Sequence, residues 1–261
     1  MAIHDDLGNR MKEYESVPKT RLIKRSPVII RIDGKAFHTF TKGFKKPFDR
    51  FLVTCMQETM LYLCQNIQGC IFGYTQSDEI SLILTDYATF ETDAWFDYEV
   101  QKLCSITASM TTMKFNKLFN SCVSSNEKFN KLFNSYVSSN EKEYFNKLTL
   151  ANNKGAVFDS RCFNLSKEEV TNYIYWRQLD AKRNSILAVG QSYFSHKELQ
   201  NKTCNMILKM LADSNEYVNW EDYPVYLKWG TACIKSNNEW TLDLNMPLLK
   251  GDNREYLEKF I

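Results

Sequence analysis

The stretch from Cys70 to Thr85 constrains the fold more than any other part of the chain. Two apolar, β-prone runs, Cys70-Ile71-Phe72-Gly73-Tyr74-Thr75 and Ile80-Ser81-Leu82-Ile83-Leu84-Thr85, flank Gln76-Ser77-Asp78-Glu79. Strand formers on both sides of a short segment holding Ser and Asp predict a β-hairpin with Asp78 and Glu79 at its tip. Adjacent carboxylates on a tight turn repel each other, and a cation placed there relieves the repulsion. A second acid, Asp33, ends another β-like run, Pro27-Val28-Ile29-Ile30-Arg31-Ile32, and is followed by Gly34-Lys35. A strand ending in an acid, beside a hairpin carrying another, is a donor set for two divalent ions over a nucleoside triphosphate.

The 261 residues, 44% hydrophobic and 25% charged, suffice for a full core, which excludes disorder as the main theme. No run of 18 apolar residues occurs, and Met1-Ala2-Ile3-His4-Asp5-Asp6 lacks a basic region followed by an apolar one. A cytoplasmic protein with no membrane partner is therefore expected. Eight cysteines without a Cys-x-x-Cys pair, and only three histidines, give no zinc spacing and read as reduced core thiols. Residues 1–50 hold 12 Lys and Arg against 6 Asp and Glu, so the N-terminal part is the end suited to phosphates.

In chain order, Leu7 to Glu15 predicts a short helix ended by Ser16-Val17-Pro18. The strand through Ile32 delivers Asp33, and the glycine-punctuated, Lys-rich segment to Asp49 follows, with Gly34 permitting close backbone approach to a ligand. Asp49 is placed to cap a helix from about Arg50 to Asn66. A second long helix is predicted from Asp93 to about Phe119, with Trp95, Phe96, Val100, Leu103, Ile106 and Met110 on its apolar side. Gly155 to Phe163 supplies a further strand. The result is an α+β chain with a β-α-β-β-α-β, split-βαβ core, which puts the end of the first strand near the hairpin tip. Ser166-Lys167-Glu168-Glu169 and Ser195-His196-Lys197-Glu198 have capping-box spacing and open helices, the second running through Met206, Ile207, Met210 and Leu211. Tyr226–Ile234 and Glu239–Leu244 predict a terminal hairpin. The expected division is a catalytic unit at 1–190 and a helical and hairpin extension at 191–261.

Between the core elements lies a tandem repeat: Phe115 to Lys128 returns as Phe129 to Lys142, with Cys122 alone replaced, by Tyr136. Fourteen residues are close to four helical turns, so an added copy keeps its apolar face in phase. The segment 115–142 reads as a duplicated helix-plus-loop insertion.

The motifs jointly resemble the tRNA(His) guanylyltransferase family of 3′-to-5′ nucleotide polymerases. The likeness rests on Arg31 to His38, Lys46-Pro47-Phe48-Asp49, Gly73 to Glu79, Phe158-Asp159-Ser160-Arg161 and Trp176-Arg177-Gln178-Leu179-Asp180, in that order. The resemblance implies a polymerase-palm-like fold. It also implies two Mg²⁺ ions held by Asp33, Asp78 and the Gly34 carbonyl, and Glu79 as a further catalytic acid beside Asp33 and Asp78. Asp33, Gly34, Lys35, Ala36, Phe37, His38 and Ser77 would line the nucleotide, and Lys46, Asp49 and Lys102 the triphosphates. ATP and GTP or another NTP are the implied substrates, tRNA the partner, and a homotetramer the assembly.

Members that add the extra guanosine carry His-Ile-Asn-Asn after the Trp-Arg-Gln segment, where this chain reads Lys182-Arg183-Asn184-Ser185, leaving Asn184 in common. That is similar to the guanylyltransferase-like branch, and implies template-dependent repair of 5′-truncated tRNA, with guanosine addition to tRNA(His) as the alternative. Glu99 stands where some members have arginine. Three other classes remain open from the residues: a diguanylate-cyclase-like enzyme, which would need Gly-Gly in place of Gln76-Ser77; a non-catalytic RNA-binding module; and an interaction protein built on the repeat.

Overall fold

In the computed structural model, which describes residues 6–132 and 138–261 and only the backbone of 126–132, the first β-strand is apolar and largely buried. This is β1 (Val28–Gly34), preceded by helix α1 (Asp6–Ser16), none of whose residues is buried. After β1 come α2 (Phe37–Phe40), α3 (Arg50–Asn66), the hairpin β2 (Cys70–Gln76) and β3 (Glu79–Leu84), then α4 (Val100–Leu132) and α5 (Ser139–Lys154). β4 (Phe158–Asn164), α6 (Lys167–Tyr193), α7 (His196–Leu199), α8 (Cys204–Ala212), α9 (Val225–Trp229), β5 (Thr231–Ser236), β6 (Glu239–Asp243) and α10 (Glu255–Glu258) complete the chain. The sheet is six-stranded and antiparallel, in the order β4-β1-β3-β2-β5-β6. The terminal hairpin adds to β2, so residues 231–243 share one sheet with the first four strands.

Side-chain alternation sorts β1 between two cores. Val28, Ile30 and Ile32 face α3 and α4, whereas Ile29 faces α6 with Val170, Tyr173 and Ile174. A third cluster joins the later half of α6 to α8 and Trp220. On the α3/α4 side, Phe37, Phe40, Phe44, Phe115, Phe119 and Phe158 form a ring cluster with centroids 5.0–5.9 Å apart. Each fully buried ring contributes about 2–3 kcal/mol by leaving water.

Several elements differ from the sequence expectation. The long helix starts at Val100, because Phe96, Asp97 and Tyr98 take positive φ and break any earlier helix. Its buried stripe includes Thr107 and Thr111, whose hydroxyls return to the carbonyls of Leu103 (2.6 Å) and Thr107 (2.7 Å). Hydroxyls satisfied within the helix pack as apolar groups do, so hydrophobic periodicity misses them. The helix expected after Ser195 is two, α7 and α8, broken where Asn201 adopts φ 60° and Thr203 caps a new start. Tyr226 to Trp229 are helical rather than extended, ended by Gly230 at φ 87°. Ser166 occupies the N-cap of α6 without a side-chain cap bond, while the Ser195–Glu198 box is formed.

The first repeat copy lies within α4, where Phe115, Phe119 and Val123 are buried. Of the second copy, residues 133–137 lie outside the described residues, and Ser138 begins α5 with a reciprocal capping box to Glu141. Ser124 to Lys128 are therefore helical, while the identical Ser138 to Lys142 form a helix start. The base of this helical hairpin is clamped by paired bonds between the Asn116 amide and the backbone of Ala156 (both 2.8 Å) and by Asn152 to Asn120 (2.9 Å).

Candidate active site

β2 and β3 close on a two-residue turn, Ser77-Asp78, with Gln76 paired to Glu79 and Ser77 at φ 51°. The Gly34 amide donates to the Asp78 carbonyl (3.1 Å) and ties the tip to the end of β1. Gly34 is required by close packing: a Cβ there would lie 2.1 Å from the Phe37 ring. The tie brings Asp33 and Asp78 within electrostatic reach, and burial, followed by the Asp33 charge, holds the Asp78 carboxyl above its ordinary range.

Asp33 lies in register between Glu79 on β3 and Asp159 on β4, three acids in a row across three strands. Arginines interleave them. Arg161 Nη2 is 2.8 Å from Asp159, Arg31 Nη2 is 3.8 Å from Asp33, and Arg31 Nε is 3.2 Å from Glu79 Oε2. From α6, Arg177 Nε reaches Glu79 Oε1 at 2.8 Å, and its Nη2 meets Asp180 at 2.6 Å; Asp180 also pairs with Arg183. The Nε contacts of Arg31 and Arg177 are ionic, since neither Nε–H is aligned for a hydrogen bond. Burial raises the Glu79 carboxyl, against the pull of Arg177 and Arg31. Glu79 is thus a buried ion-pair hub, while the Asp33 side chain remains 35% exposed. Sequence reading gave no role to Arg31, Arg177, Asp180 or Asp159; the signal available was the mirrored spacing Arg31-x-Asp33 and Asp159-x-Arg161, which puts opposite charges on one face of neighbouring strands.

The remaining expected residues fall in three places. Lys35, Ala36 and His38 are exposed just beyond Gly34, with Ala36 at φ 53°, the Lys35 amide donating to Val157 (2.8 Å) and the His38 ring beside Thr39 Oγ1 (3.1 Å). The Phe37 side chain points into the aromatic core, so only its backbone can face a ligand. Asp49 is likewise committed: it caps α3 through Phe51 and Leu52 and accepts from the Lys45 amide (3.1 Å) and the Tyr144 hydroxyl (2.7 Å), whereas Lys46 is exposed. Lys102 lies in the first turn of α4. Thr107 of α4 bonds Ser160, and Val100 O and Cys104 Sγ both approach Cys162 Sγ, so Lys102 sits level with Cys162 and Ile30, roughly 10 Å along the strand from Asp33. Its ammonium lies 3.9 Å from Glu99.

Beside Ser77 opens a cavity of about 170 Å³ walled by Phe48, Leu52, Met56, Ala181 and Tyr226 and edged by Gln76, Ser77 and Asn184. Asn184 Nδ2 stands 3.4 Å from Asp180 and 3.5 Å from Gln76 Oε1. Among the described residues, no three His, Cys, Asp or Glu side chains group as metal ligands. None of their helices is long and apolar enough to cross a membrane.

The family model described as tRNAHis guanylyltransferase matches residues 8–166. The chain belongs to this family. An uncharacterized protein of Acanthamoeba polyphaga mimivirus is 28% identical over 244 residues, 89% of this chain and 78% of that one. The probable tRNA(His) guanylyltransferase of Dictyostelium discoideum is 27% identical over 168 residues, covering 63% of this chain and 54% of the relative, so the chain spans about half the length of that protein. Among solved structures, a bacterial tRNA(His) guanylyltransferase (Thg1)-like protein in complex with ATP superposes with TM-score 0.80 at 39% identity, over 98% of this chain and 99% of that one. The complex of such a protein with GTP gives TM-score 0.72 at 36% identity, over the same shares. The guanylyltransferase of Saccharomyces cerevisiae, at 22% identity and TM-score 0.62 over 88% and 94%, shares the fold. Within the family the chain sides with the guanylyltransferase-like branch.

Proposed function

We propose that this nucleotidyltransferase adds nucleotides to the 5′ end of tRNA, in the 3′-to-5′ direction, at the Asp33–Asp78 site. The observation that carries the proposal is the bond from Gly34 to Asp78, which holds two carboxylates together at an open strand end. The order β4-β1-β3-β2 supports reading the core as a palm-like split βαβ. The donor set, two carboxylates and a backbone carbonyl, is all hard oxygen, and the mutual repulsion of Asp33 and Asp78 is what a divalent ion relieves, so the residues fit Mg²⁺. A metal bound there would lower the pKa of an attacking 3′-hydroxyl and neutralise the departing phosphate. Asp33, Asp78 and the Gly34 carbonyl would hold it. Exposed Lys35 and Lys46 meet the phosphates as mobile point charges, and the apolar cavity beside Ser77 accepts a base between Phe48 and Ala181. The RNA 5′-monophosphate is first adenylylated with ATP, releasing pyrophosphate, and the NTP 3′-hydroxyl then attacks that phosphorus with loss of AMP.

Two forms of the activity differ in what selects the nucleotide. Guanosine addition to tRNA(His) is the form that the names of the family and of its curated relatives carry. Repair of truncated tRNA, with selection by the opposing base, is favoured by Lys182-Arg183-Asn184-Ser185, which lacks most of the His-Ile-Asn-Asn motif. A correct pair adds roughly 1–2 kcal/mol over a mispair, about tenfold, before any check by the site. Incubation with Mg²⁺, each NTP in turn and a 5′-truncated tRNA whose opposing base is changed from C to A separates them. A switch from G to U supports repair; G whatever the base, and only on tRNA(His), supports the guanylyltransferase form; no addition to any tRNA refutes both. A homotetramer acting in the cytoplasm belongs to the same proposal and rests on the family likeness.

A further inference from the structure

We infer, on the nucleotidyl-transfer reading, that Arg177 is a positioning residue for Asp33, acting through Glu79 and Arg31. Asp33 and Glu79 are directly opposed in the β1–β3 register, and like charges in that relation repel. Arg31, two residues before Asp33 on the same face, reaches both: Nε is 3.2 Å from Glu79 and Nη2 is 3.8 Å from Asp33. The Glu79 side chain is 6% exposed, so water does little to neutralise it. A buried carboxylate with one guanidinium for company draws that guanidinium fully onto itself. Arg177, only 5% exposed, takes Glu79 Oε1 at 2.8 Å and leaves Arg31 on Oε2, shared with Asp33. The aim of Arg177 is fixed in turn by Asp180 at 2.6 Å and by the Trp176 ring, 4.2 Å below its guanidinium. A residue on α6 thereby orients a strand carboxylate that it does not touch, as outer partners orient metal ligands.

The test is a double-mutant cycle on the full chain, read by Mn²⁺ binding without nucleotide (electron paramagnetic resonance) and by turnover. Arg177→Gln is expected to lower Mn²⁺ affinity and kcat by roughly 10–100-fold with the nucleotide KM within about twofold. Because the effect runs through Glu79, the double variant Arg177→Gln, Glu79→Gln is expected to fall within about twofold of Glu79→Gln alone. Losses that multiply in the double variant overturn the inference, as does an Arg177→Gln protein that binds Mn²⁺ and turns over like the parent. Should Arg177→Gln not melt cooperatively, Arg177→Lys replaces it in the cycle. Its single ammonium does not hold Glu79 and Asp180 as a fork does, so kcat and Mn²⁺ affinity should drop roughly 3–10-fold, and parental values overturn the inference. Asp33→Ala is the control: if it too leaves Mn²⁺ affinity unchanged, the metal reading of the site fails. If it abolishes binding while the Arg177 variants behave as the parent, positioning alone fails.

Discussion

The backbone amide of Gly34 donates to the backbone carbonyl of Asp78 across 3.1 Å, so the end of β1 and the tip of the β2–β3 hairpin move as one unit. Asp33 and Asp78 are consequently brought together by main chain, while their carboxylates keep contacts of their own, Asp33 with Arg31 (3.8 Å) and Asp78 with the Ser77 hydroxyl (3.1 Å).

Asp33→Ala and Asp78→Ala should each lower nucleotide addition at least about a hundredfold while leaving the fold intact, because each removes a hard oxygen ligand from a solvent-reachable position. Turnover at saturating Mg²⁺, with circular dichroism melts as the control for folding, checks this; near-parental turnover in either variant refutes the two-carboxylate assignment.

Gly34→Ala should destabilise the protein by about 1–3 kcal/mol, since the added Cβ would meet the Phe37 ring at 2.1 Å and the ring is boxed in by Phe40, Phe115 and Phe158. Urea unfolding measures the loss. A variant as stable as the parent would show that the ring moves aside freely.

Deleting residues 129–142 should shift the melting midpoint by no more than about 3 °C and leave turnover within about twofold. The described residues among those deleted lie at the end of the α4–α5 arm away from the Asn116 and Asn120 clamps. Phe115→Ala, by contrast, should cost about 3–5 kcal/mol, because that ring is fully buried. Loss of cooperative unfolding in the deletion would place the second copy in the core.

Asp78 should make the metal-free protein less stable at neutral pH. Its carboxyl is raised by burial and then by Asp33, so the folded state binds that proton more tightly than the unfolded chain does. The charged form is therefore unfavourable above the folded pKa, and the penalty disappears as pH falls below the unfolded value of about 3.9. Asp78→Asn in EDTA should melt roughly 1–3 °C above the parent at pH 7, and the two should coincide by about pH 3. A gap that is constant over that range sinks the assignment.

The elements that carry the carboxylates were legible because their signals are local. The β-prone run through Ile32, the Asp49 cap and the Ser-Asp turn each act within a few residues, and β1, α3 and the hairpin formed where those signals put them. The ion-pair hub was not legible, since Glu79 and Arg177 meet across about a hundred residues and nothing near either one announces the other. Phe37 and Asp49 lie in family motifs as site residues, yet the fold spends the ring on the core and the carboxylate on a helix start. Lys102 stands apart from Asp33 for a topological reason: α4 runs along β4 from Cys162 toward Phe158, so its first turn lies roughly 10 Å back along the strand from Asp33.

The clamp of Asn116 on Ala156 and of Asn152 on Asn120 gives the α4–α5 arm the character of an expansion joint. Tyr144, which steadies Asp49 and hence the start of α3, belongs to the same arm, yet its helix is fixed from the clamped side. Chain length added between residues 124 and 138 is taken up beyond the clamp, where it has no lever on Asp33 or Asp78. A duplication there escapes the selection that would purge one of the same size near Gly34, so length polymorphism in close homologues should concentrate at this joint.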